Sequence, residues 1–366
     1  MNSELAHLLE ASPAHRVAFD LLTQIGKDHG AEAELWLVDY RQNRLIALVS
    51  GAEVAVDDSW LGRCLAGQAP LSHDGRTALP VTTRGNRVGV LTVESGEADT
   101  PELRTSCSLL AQAIIAIGTS TPAYESTRRE RPLTVAAELQ WALLPGQSYA
   151  DEDVTVAALL EPAYSVAGDC YDWSRDDDGV SLAVLDGTGR GVDAALAATL
   201  TLGALRNARF TQASLADQAA LADQAVYAHH GGESFTSALL LRFDTRTGEV
   251  RVVDAGSPHL FRLREGRAEQ VELEAQLPLG MFEETHYLEQ EVDVRAGDRL
   301  LIVSDGVHGT LVEGSPTMPQ VLRETRLVSP AEVCRHVLRQ LRQTWTEDGP
   351  RDDAVVLCLD WHPRTG

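Results

Sequence analysis

The chain has 366 residues, of which 44% are hydrophobic and 23% charged; this composition excludes a disordered chain, and the length allows two domains. Its 54 acidic residues outnumber the 31 basic ones, for a formal net charge of −23, which disfavours binding to nucleic acid or to an anionic membrane surface. The five cysteines are scattered without a CxxC pair, and no segment has the pattern of a signal peptide or a transmembrane helix. We therefore expect a cytoplasmic protein with reduced thiols.

Residues 1–120 predict a small α/β domain in which helices bracket a set of strands. Apolar residues recur at helical spacing over residues 17–25 and again over 103–117. Between these helices, AELWLVDY and NRLIALVS have the apolar pattern of strands joined by a polar turn. The segment TALPVTTRGNRVGVLTVES predicts a hairpin whose turn contains Arg84, Gly85 and Asn86.

Residues 121–146 predict a linker with a short helix that leads into the last region, residues 147–366. The stretch 119–132 is polar and contains Pro122 and Pro132, as is typical of a linker. LTVAAELQWALLP follows with helical spacing and stops at Pro145. Two interpretations stay open for this helix, simple packing or the transmission of a signal, and we expect Leu139, Leu143 and Leu144 to pack near the helix predicted from residue 191 onward.

Four acidic segments in the last region lie where an apolar, strand-like run begins or ends. Carboxylates are the oxygen ligands that Mg²⁺ and Mn²⁺ prefer, and several aspartates gathered together are costly unless a cation compensates their charge. A single Asp-Gly after a strand is usually only a turn, so one such segment decides nothing. The segments contain Asp169 and Asp172, Asp186 with Gly187, Asp305 with Gly306, and Asp352 with Asp353.

In their order along the chain these segments resemble the PPM (metal-dependent, type-2C) protein phosphatases, in particular the bacterial SpoIIE/RsbU-like branch. The resemblance covers residues 139–359 and is carried by LLP, AGDCYD, LDGTGRG, FTSALLLRFDTRTGEV, VDAGSPHLFRL, LPLGM, AGDRLLIVSDGV and RDDAVVLCL. It implies an α-β-β-α sandwich of two antiparallel sheets flanked by helices, so the whole chain is expected to be α+β.

The resemblance also implies a site with two divalent metal ions, Mn²⁺ or Mg²⁺. Asp186 would bridge both ions and Gly187 would contribute its carbonyl; Asp169 would bind one ion or its water; Asp305 and Asp352 would complete the site. Asp169 and Asp186 are the implied catalytic residues, and Asp353 would lie beside the ligands. For Asp172 a structural role is the open alternative.

The implied reaction is attack by metal-activated water on phosphoserine or phosphothreonine in a partner protein, for which an anti-sigma-factor antagonist of the STAS type is the candidate. Eukaryotic members carry a histidine where this chain has Thr188, so no general acid is identified. For Arg190, contact with the phosphate and simple exposure both stay open. The alternative function is a catalytically silent scaffold that binds the same partners, and the retention of all four aspartates argues against it.

Residues 15–117 resemble a GAF-type sensory domain through ELWLVDY, the segment 61–70 and the predicted hairpin, although PAS domains share similar strands. This resemblance implies that the region regulates the phosphatase, forms a homodimer and biases the linker helix. Cys64 and His73 are chemically able to bind a ligand, but a lone residue of either kind is usually structural, and we assign no ligand to them.

Overall fold

The computed structural model describes residues 2–95, 99–166, 168–308, 316–345 and 352–362. The chain divides into two compact units, Met1–Pro132 and Leu133–Gly366. This division lies inside the predicted linker region 121–146. The polar first half of that region belongs to the first unit, and its helix belongs to the second.

The first unit is built around one sheet of six strands in the order β3-β2-β1-β6-β5-β4, and all neighbouring strands are antiparallel. The predicted hairpin is confirmed: β5 and β6 are joined by Arg84 and Gly85, both with positive φ, as a tight two-residue turn requires. The elements are α1 (Asn2–Ala11), α2 (Val17–His29), β1 (Ala33–Val38), β2 (Arg44–Ala47), β3 (Glu53–Ala55), α3 (Trp60–Gly67), β4 (Leu71–His73), β5 (Arg76–Thr83), β6 (Asn86–Val93), α4 (Pro101–Ile117) and α5 (Ala123–Arg128).

The two faces of this sheet carry separate apolar cores, because alternate residues of a strand point to opposite faces. Leu35 and Leu37 of β1 pack with α2 and α4, whereas Val38 packs with α3. Cys64 of α3 is fully buried in the second core, and burial raises the pKa of its thiol to about 12. Cys64 is therefore an inert packing residue.

Helix α5 is anchored to the first unit by one aromatic side chain. Tyr124 is fully buried; its hydroxyl accepts a hydrogen bond from the Ala18 N–H at 3.2 Å and donates one to the Ala14 carbonyl at 2.9 Å. Arg128 adds a hydrogen bond from Nε to the Val38 carbonyl at 2.9 Å. The first half of the predicted linker is thus folded onto this unit.

The second unit contains two antiparallel sheets, one of five strands in the order β15-β12-β11-β10-β9 and one of six in the order β14-β13-β16-β17-β8-β7. The elements are α6 (Val135–Leu143), β7 (Ser148–Ala150), β8 (Val154–Glu161), β9 (Cys170–Asp176), β10 (Gly179–Gly187), α7 (Gly191–Phe210), α8 (Leu215–His230), β11 (Thr236–Asp244), β12 (Val250–Ala255), β13 (His259–Arg264), β14 (Arg267–Gln270), β15 (Gln290–Glu291), β16 (Arg299–Val303), α9 (Asp305–His308), α10 (Met318–Glu324), α11 (Pro330–Gln343) and β17 (Ala354–Trp361).

These two sheets face each other across an apolar layer and are covered by helices on their outer sides. Leu182 and Val184 of β10 meet Leu357 and Leu359 of β17 in the interior. Residues of α7 and α8 cover the outer face of the five-stranded sheet, and residues of α10 and α11 cover that of the six-stranded sheet. The predicted α-β-β-α sandwich, and with it the α+β class, is confirmed.

The helix predicted before Pro145 is α6, and only part of its predicted packing is found. Leu143 and Leu144 pack against the apolar cluster that contains Leu202 and Leu205 of α7. Leu139 instead remains 37% exposed, because the buried face of α6 is formed by Ala136, Ala137 and Gln140.

All five cysteines are buried and unbridged. Across the part of the chain that the structure describes, no helix has both the length and the apolar character needed to cross a membrane.

Candidate metal centre

The first pair of candidate ligands lies at one end of the five-stranded sheet. Leu185 of β10 is paired with Cys170 of β9, so the neighbouring Asp186 and Asp169 come to the same edge. Two backbone segments touch there: a Cβ atom on Gly168 would lie 2.4 Å from the carbonyl oxygen of Gly187, the last residue of β10. A glycine is required by this close approach, which brings the two carboxylates side by side.

The second pair lies at the matching end of the six-stranded sheet. Strand β16 ends just before Asp305, and β17 begins just after Asp352 and Asp353. These two segments also touch through a glycine, because a Cβ atom on Gly306 would lie 1.8 Å from the Asp353 carbonyl oxygen. In both sheets, therefore, the glycine next to the aspartate is explained by close packing of two backbones.

Asp353 joins the two sheet ends. Its Oδ2 accepts a hydrogen bond from the Gly168 N–H at 2.9 Å, and its own N–H donates to Asp352 Oδ1 at 2.9 Å. The sequence placed Asp353 beside the ligands, and the structure shows it holding the backbone directly before Asp169.

Asp169 is the most buried carboxylate of the group, with 3% of the residue exposed. Burial, together with the neighbouring Asp186 and Asp353 carboxylates, raises the pKa of Asp169 well above its ordinary value, and a hydrogen bond with the Ser304 hydroxyl opposes that rise. Its Oδ2 has no hydrogen-bond partner among the described residues. An unsatisfied, buried carboxylate oxygen is costly, and a cation compensates it.

Asp186 has a similar environment with one added donor. Burial raises its pKa to about 6, Asp305 contributes to the rise through its charge and a side-chain hydrogen bond, and Asp352 contributes through its charge. The Ser257 hydroxyl donates to Asp186 Oδ2 at 2.5 Å and lowers the pKa. The structure thus brings together all the sequence-predicted residues, namely Asp169, Asp186, Gly187, Asp305 and Asp352.

The chemistry of these donors fits divalent cations. Carboxylate oxygens and a backbone carbonyl are hard ligands of the kind that Mg²⁺ and Mn²⁺ take. Within the described residues, no three acidic, imidazole or thiol groups already stand in the arrangement of a finished metal site. The fit rests instead on the uncompensated negative charge and on the orphaned oxygen of Asp169, both of which a cation would satisfy.

The C-terminal half of the chain matches a known protein family. The model of the family described as stage II sporulation protein E (SpoIIE) matches residues 176–362, which is just over half of the 366 residues. The chain belongs to the SpoIIE family. The resemblance inferred from the sequence is confirmed, although Asp169 and α6 lie before the matched residues.

Two relatives of this SpoIIE-family chain come from Bacillus subtilis. The phosphoserine phosphatase RsbU is 21% identical over 246 residues, which cover 64% of this chain and 73% of RsbU. The structure of the PP2C phosphatase domain of SpoIIE, with a fragment of its regulatory domain, matches with a TM-score of 0.51 and 20% identity over 60% of this chain and 66% of that one. The second unit accordingly has a PP2C-type fold, and the chain is a PPM-type phosphatase of the SpoIIE/RsbU family.

Asp172 of this SpoIIE-family chain has a structural role. It is 2% exposed, and its two oxygens accept hydrogen bonds at 2.7 Å from Arg206 and Arg209 of α7. Arg206 also donates to the Leu143 carbonyl at 2.6 Å. Of the two alternatives that the sequence left open, the structure supports the ion pair that joins β9, α6 and α7.

Asp172→Ala is expected to destabilise the second unit by about 3 kcal/mol, because it leaves two arginines without their carboxylate partner. The value lies at the low end for a buried pair since the Arg206 side chain is 36% exposed. Urea unfolding followed by tryptophan fluorescence measures the change. Asp178→Ala is the control, because its pair with Arg246 is exposed and should contribute less than about 1 kcal/mol. Weaker Mn²⁺ binding with unchanged stability would instead make Asp172 a ligand.

Two hydroxyl groups around the site, those of Ser257 and Ser304, escaped the sequence analysis, and the structure also shows the role of Thr188. Ser257 and Ser304 hydrogen-bond to Asp186 and Asp169 as described, and Ser304 also accepts from the Val355 N–H at 2.9 Å. Eukaryotic members carry histidine at the position of Thr188. The Thr188 hydroxyl donates a hydrogen bond to the Phe235 carbonyl at 2.8 Å and therefore has a structural role. The sequence hint for Ser257 was the segment AGSPH, where relatives often have AGHPP.

Proposed function

We propose that residues 133–366 remove phosphate from phosphoserine or phosphothreonine in a partner protein, with two divalent metal ions, Mn²⁺ or Mg²⁺, as cofactors. The observation that carries this proposal is the convergence of Asp169, Asp186, Asp305 and Asp352 at one end of the sandwich. Burial and, after it, their mutual repulsion raise the pKa of Asp169 and Asp186. Such an arrangement is unfavourable in a protein that never binds a cation.

Each ligand has a proposed role. Asp186 would bridge the two ions with help from the Gly187 carbonyl, and Asp169, Asp305 and Asp352 would complete their coordination. Divalent ions held in this way supply a Lewis acid for the phosphoryl oxygens and lower the pKa of water so that it attacks phosphorus.

The surrounding residues orient these ligands. Ser257 holds one oxygen of Asp186 through its 2.5 Å hydrogen bond and so fixes the direction of this carboxylate. Asp353 accepts a hydrogen bond from the Gly168 N–H. This bond fixes the backbone directly before Asp169. Partners of this kind fix metal ligands in their productive orientation.

The substrate and the regulation are inferred from the family. RsbU is by name a phosphoserine phosphatase, which supports a phosphorylated regulatory protein as the substrate; an anti-sigma-factor antagonist of the STAS type is our candidate. The first unit, with its GAF-like sequence pattern, would act as the sensory domain, dimerise and bias α6.

The proposal is tested with the full-length chain, a phosphoserine protein and p-nitrophenyl phosphate. We expect turnover with Mn²⁺ or Mg²⁺, loss of turnover in EDTA, and recovery when the metal is restored, because the carboxylates are the only proposed means of activating water. Undiminished turnover in EDTA would contradict the proposal. Mn²⁺ binding without hydrolysis of either substrate would favour the silent scaffold.

A further inference from the structure

Helix α8 carries a buried carboxylate that the proposed reaction does not use. Asp223 is fully buried, and its Oδ1 accepts hydrogen bonds from the Gly280 N–H at 2.8 Å and from the Tyr287 hydroxyl at 3.1 Å. Its Oδ2 has no hydrogen-bond partner among the described residues. A buried carboxylate is costly unless a positive charge or a full set of donors compensates it.

Both hydrogen bonds to Asp223 come from neutral groups. Burial, and after it the charge of Asp223, raises the pKa of Tyr287 well above its ordinary value, so this hydroxyl keeps its single hydrogen. The hydrogen points to Asp223, because the second contact of the hydroxyl, with the Pro278 carbonyl, is longer at 3.4 Å. These contacts therefore leave one negative charge in the interior without a positive charge beside it.

More oxygen atoms gather at the same point. Thr285 Oγ1 lies close enough to the Tyr287 hydroxyl to lower the pKa of that group, but it is buried and no described group reaches it in hydrogen-bonding geometry. The Pro278 carbonyl oxygen lies 3.4 Å from the same hydroxyl. A carboxylate, a hydroxyl and a carbonyl are hard oxygen ligands, which hard cations prefer.

The charge of this cluster favours a monovalent ion. One sodium or potassium ion would neutralise the single carboxylate of Asp223, whereas a divalent ion would leave a buried positive charge unbalanced. Backbone carbonyl oxygens are known to replace the hydration shell of potassium in proteins. The cluster differs in this respect from the candidate metal centre, where several aspartates converge.

The loop that covers Asp223 lies tightly on α8 and reaches the metal end of the sheet. A Cβ atom on Gly280 would lie 2.3 Å from a side-chain atom of α8, which leaves room only for glycine. Leu279 exchanges two backbone hydrogen bonds of 2.9 Å with Thr236, and Thr236 is paired with Gly187. An ion at Asp223 would therefore fix a loop that borders the end of this sheet.

We propose that Asp223, Thr285 and the Pro278 carbonyl form a site for a monovalent alkali cation, sodium or potassium, which holds the loop 278–287 against α8. The site is separate from the candidate metal centre and does not depend on the proposed function. Its consequence is that alkali cations stabilise the second unit.

The test is thermal unfolding of the full-length chain in equal concentrations of potassium, sodium or choline chloride, with Tris-neutralised EDTA to remove divalent ions. Choline screens surface charges as the alkali ions do but is too large for a buried site. We expect the unfolding temperature to be higher in potassium or sodium chloride than in choline chloride by about 2–4 °C or more, because an ion bound only to the folded state stabilises it.

Asp223→Asn removes the charge but keeps the shape of the side chain and an acceptor for the Gly280 N–H. In this variant the three salts should give unfolding temperatures within about 1 °C of one another. Thr285→Val removes one neutral oxygen and should reduce the alkali effect without abolishing it. It carries the test if Asp223→Asn does not fold.

Asp254→Asn is the matched control. Asp254 is only 7% exposed, and its Oδ1 accepts a hydrogen bond from the Gly256 N–H at 3.1 Å, so it too is a buried carboxylate bound to a backbone N–H. This variant should retain the full alkali effect of wild type.

An equal unfolding temperature of wild type in all three salts would overturn the inference, since a proton or a water molecule would then satisfy Asp223. The full alkali effect in Asp223→Asn would overturn it as well, because the ion would then bind elsewhere. Divalent ions and substrate are absent from the experiment, so its result does not depend on whether the chain hydrolyses phosphoserine.

Discussion

Asp186→Asn is expected to lower metal-dependent turnover by more than about a hundredfold, a loss greater than that for partners which only orient a ligand. The amide keeps the shape of the side chain but loses the negative charge with which Asp186 would hold both ions. The hydrogen bond from Ser257 can persist, since an amide oxygen also accepts.

The same substitution should not weaken the metal-free fold. The Asp186 carboxylate is disfavoured by burial and by Asp305, and a neutral amide removes that repulsion. Thermal unfolding in EDTA and phosphatase assays with Mn²⁺ measure the two effects separately. We expect activity to fall while the unfolding temperature in EDTA stays equal or rises.

Asp244→Asn is the matched control for Asp186→Asn. Asp244 lies at the opposite end of the same sheet, paired with Gly179, and there it accepts hydrogen bonds from the N–H groups of Arg246 and Thr247. Its replacement should leave metal-dependent turnover unchanged. Equal turnover in Asp186→Asn and wild type would contradict the proposed site.

Gly306→Ala is the second substitution with a large expected effect. Its Cβ would lie 1.8 Å from the Asp353 carbonyl oxygen and 2.9 Å from the carbonyl carbon. Both atoms belong to the backbone, so no side-chain rotation relieves the clash. The segments that carry Asp305 and Asp352 must separate, and we expect destabilisation of about 1–3 kcal/mol, as for other overpacked interiors.

The separation should also weaken the metal site. Because the carboxylates at the two strand ends no longer converge, we expect the Mn²⁺ dissociation constant to rise at least about tenfold, a change comparable to the loss of a partner that orients a ligand. Urea unfolding and Mn²⁺ titration measure the two effects.

Gly203→Ala is the control for added volume. Gly203 lies in α7 with no atom within 4 Å of its Cβ position, so alanine should be neutral or stabilising by up to about 1 kcal/mol through its higher helix propensity. A Gly306 variant that behaves like this control would show that the close approach to Asp353 is dispensable.

Local sequence patterns were sufficient for the strands and for the position of the acidic groups. The alternation in β1 and the Arg84-Gly85 turn specify their conformations through neighbouring residues alone. Aspartate after an apolar run marks a strand end in the same local way, which is why Asp186 and Asp305 were found. Leu139 shows the limit: helical spacing is also local, but which face of α6 is buried depends on what α7 places against it.

Local pattern therefore established the strand ends and the chemical type of the site, because each depends on residues close together in the chain, whereas the fold class followed from the resemblance of the ordered segments to the PPM phosphatases. The roles of Asp172 and Asp353 depend on contacts across 34 or 37 and 185 residues respectively. A carboxylate that pairs with α7 and one that faces a cation look alike in sequence. They differ in which charges surround them, and those neighbours are brought together when the two sheets and α6 pack.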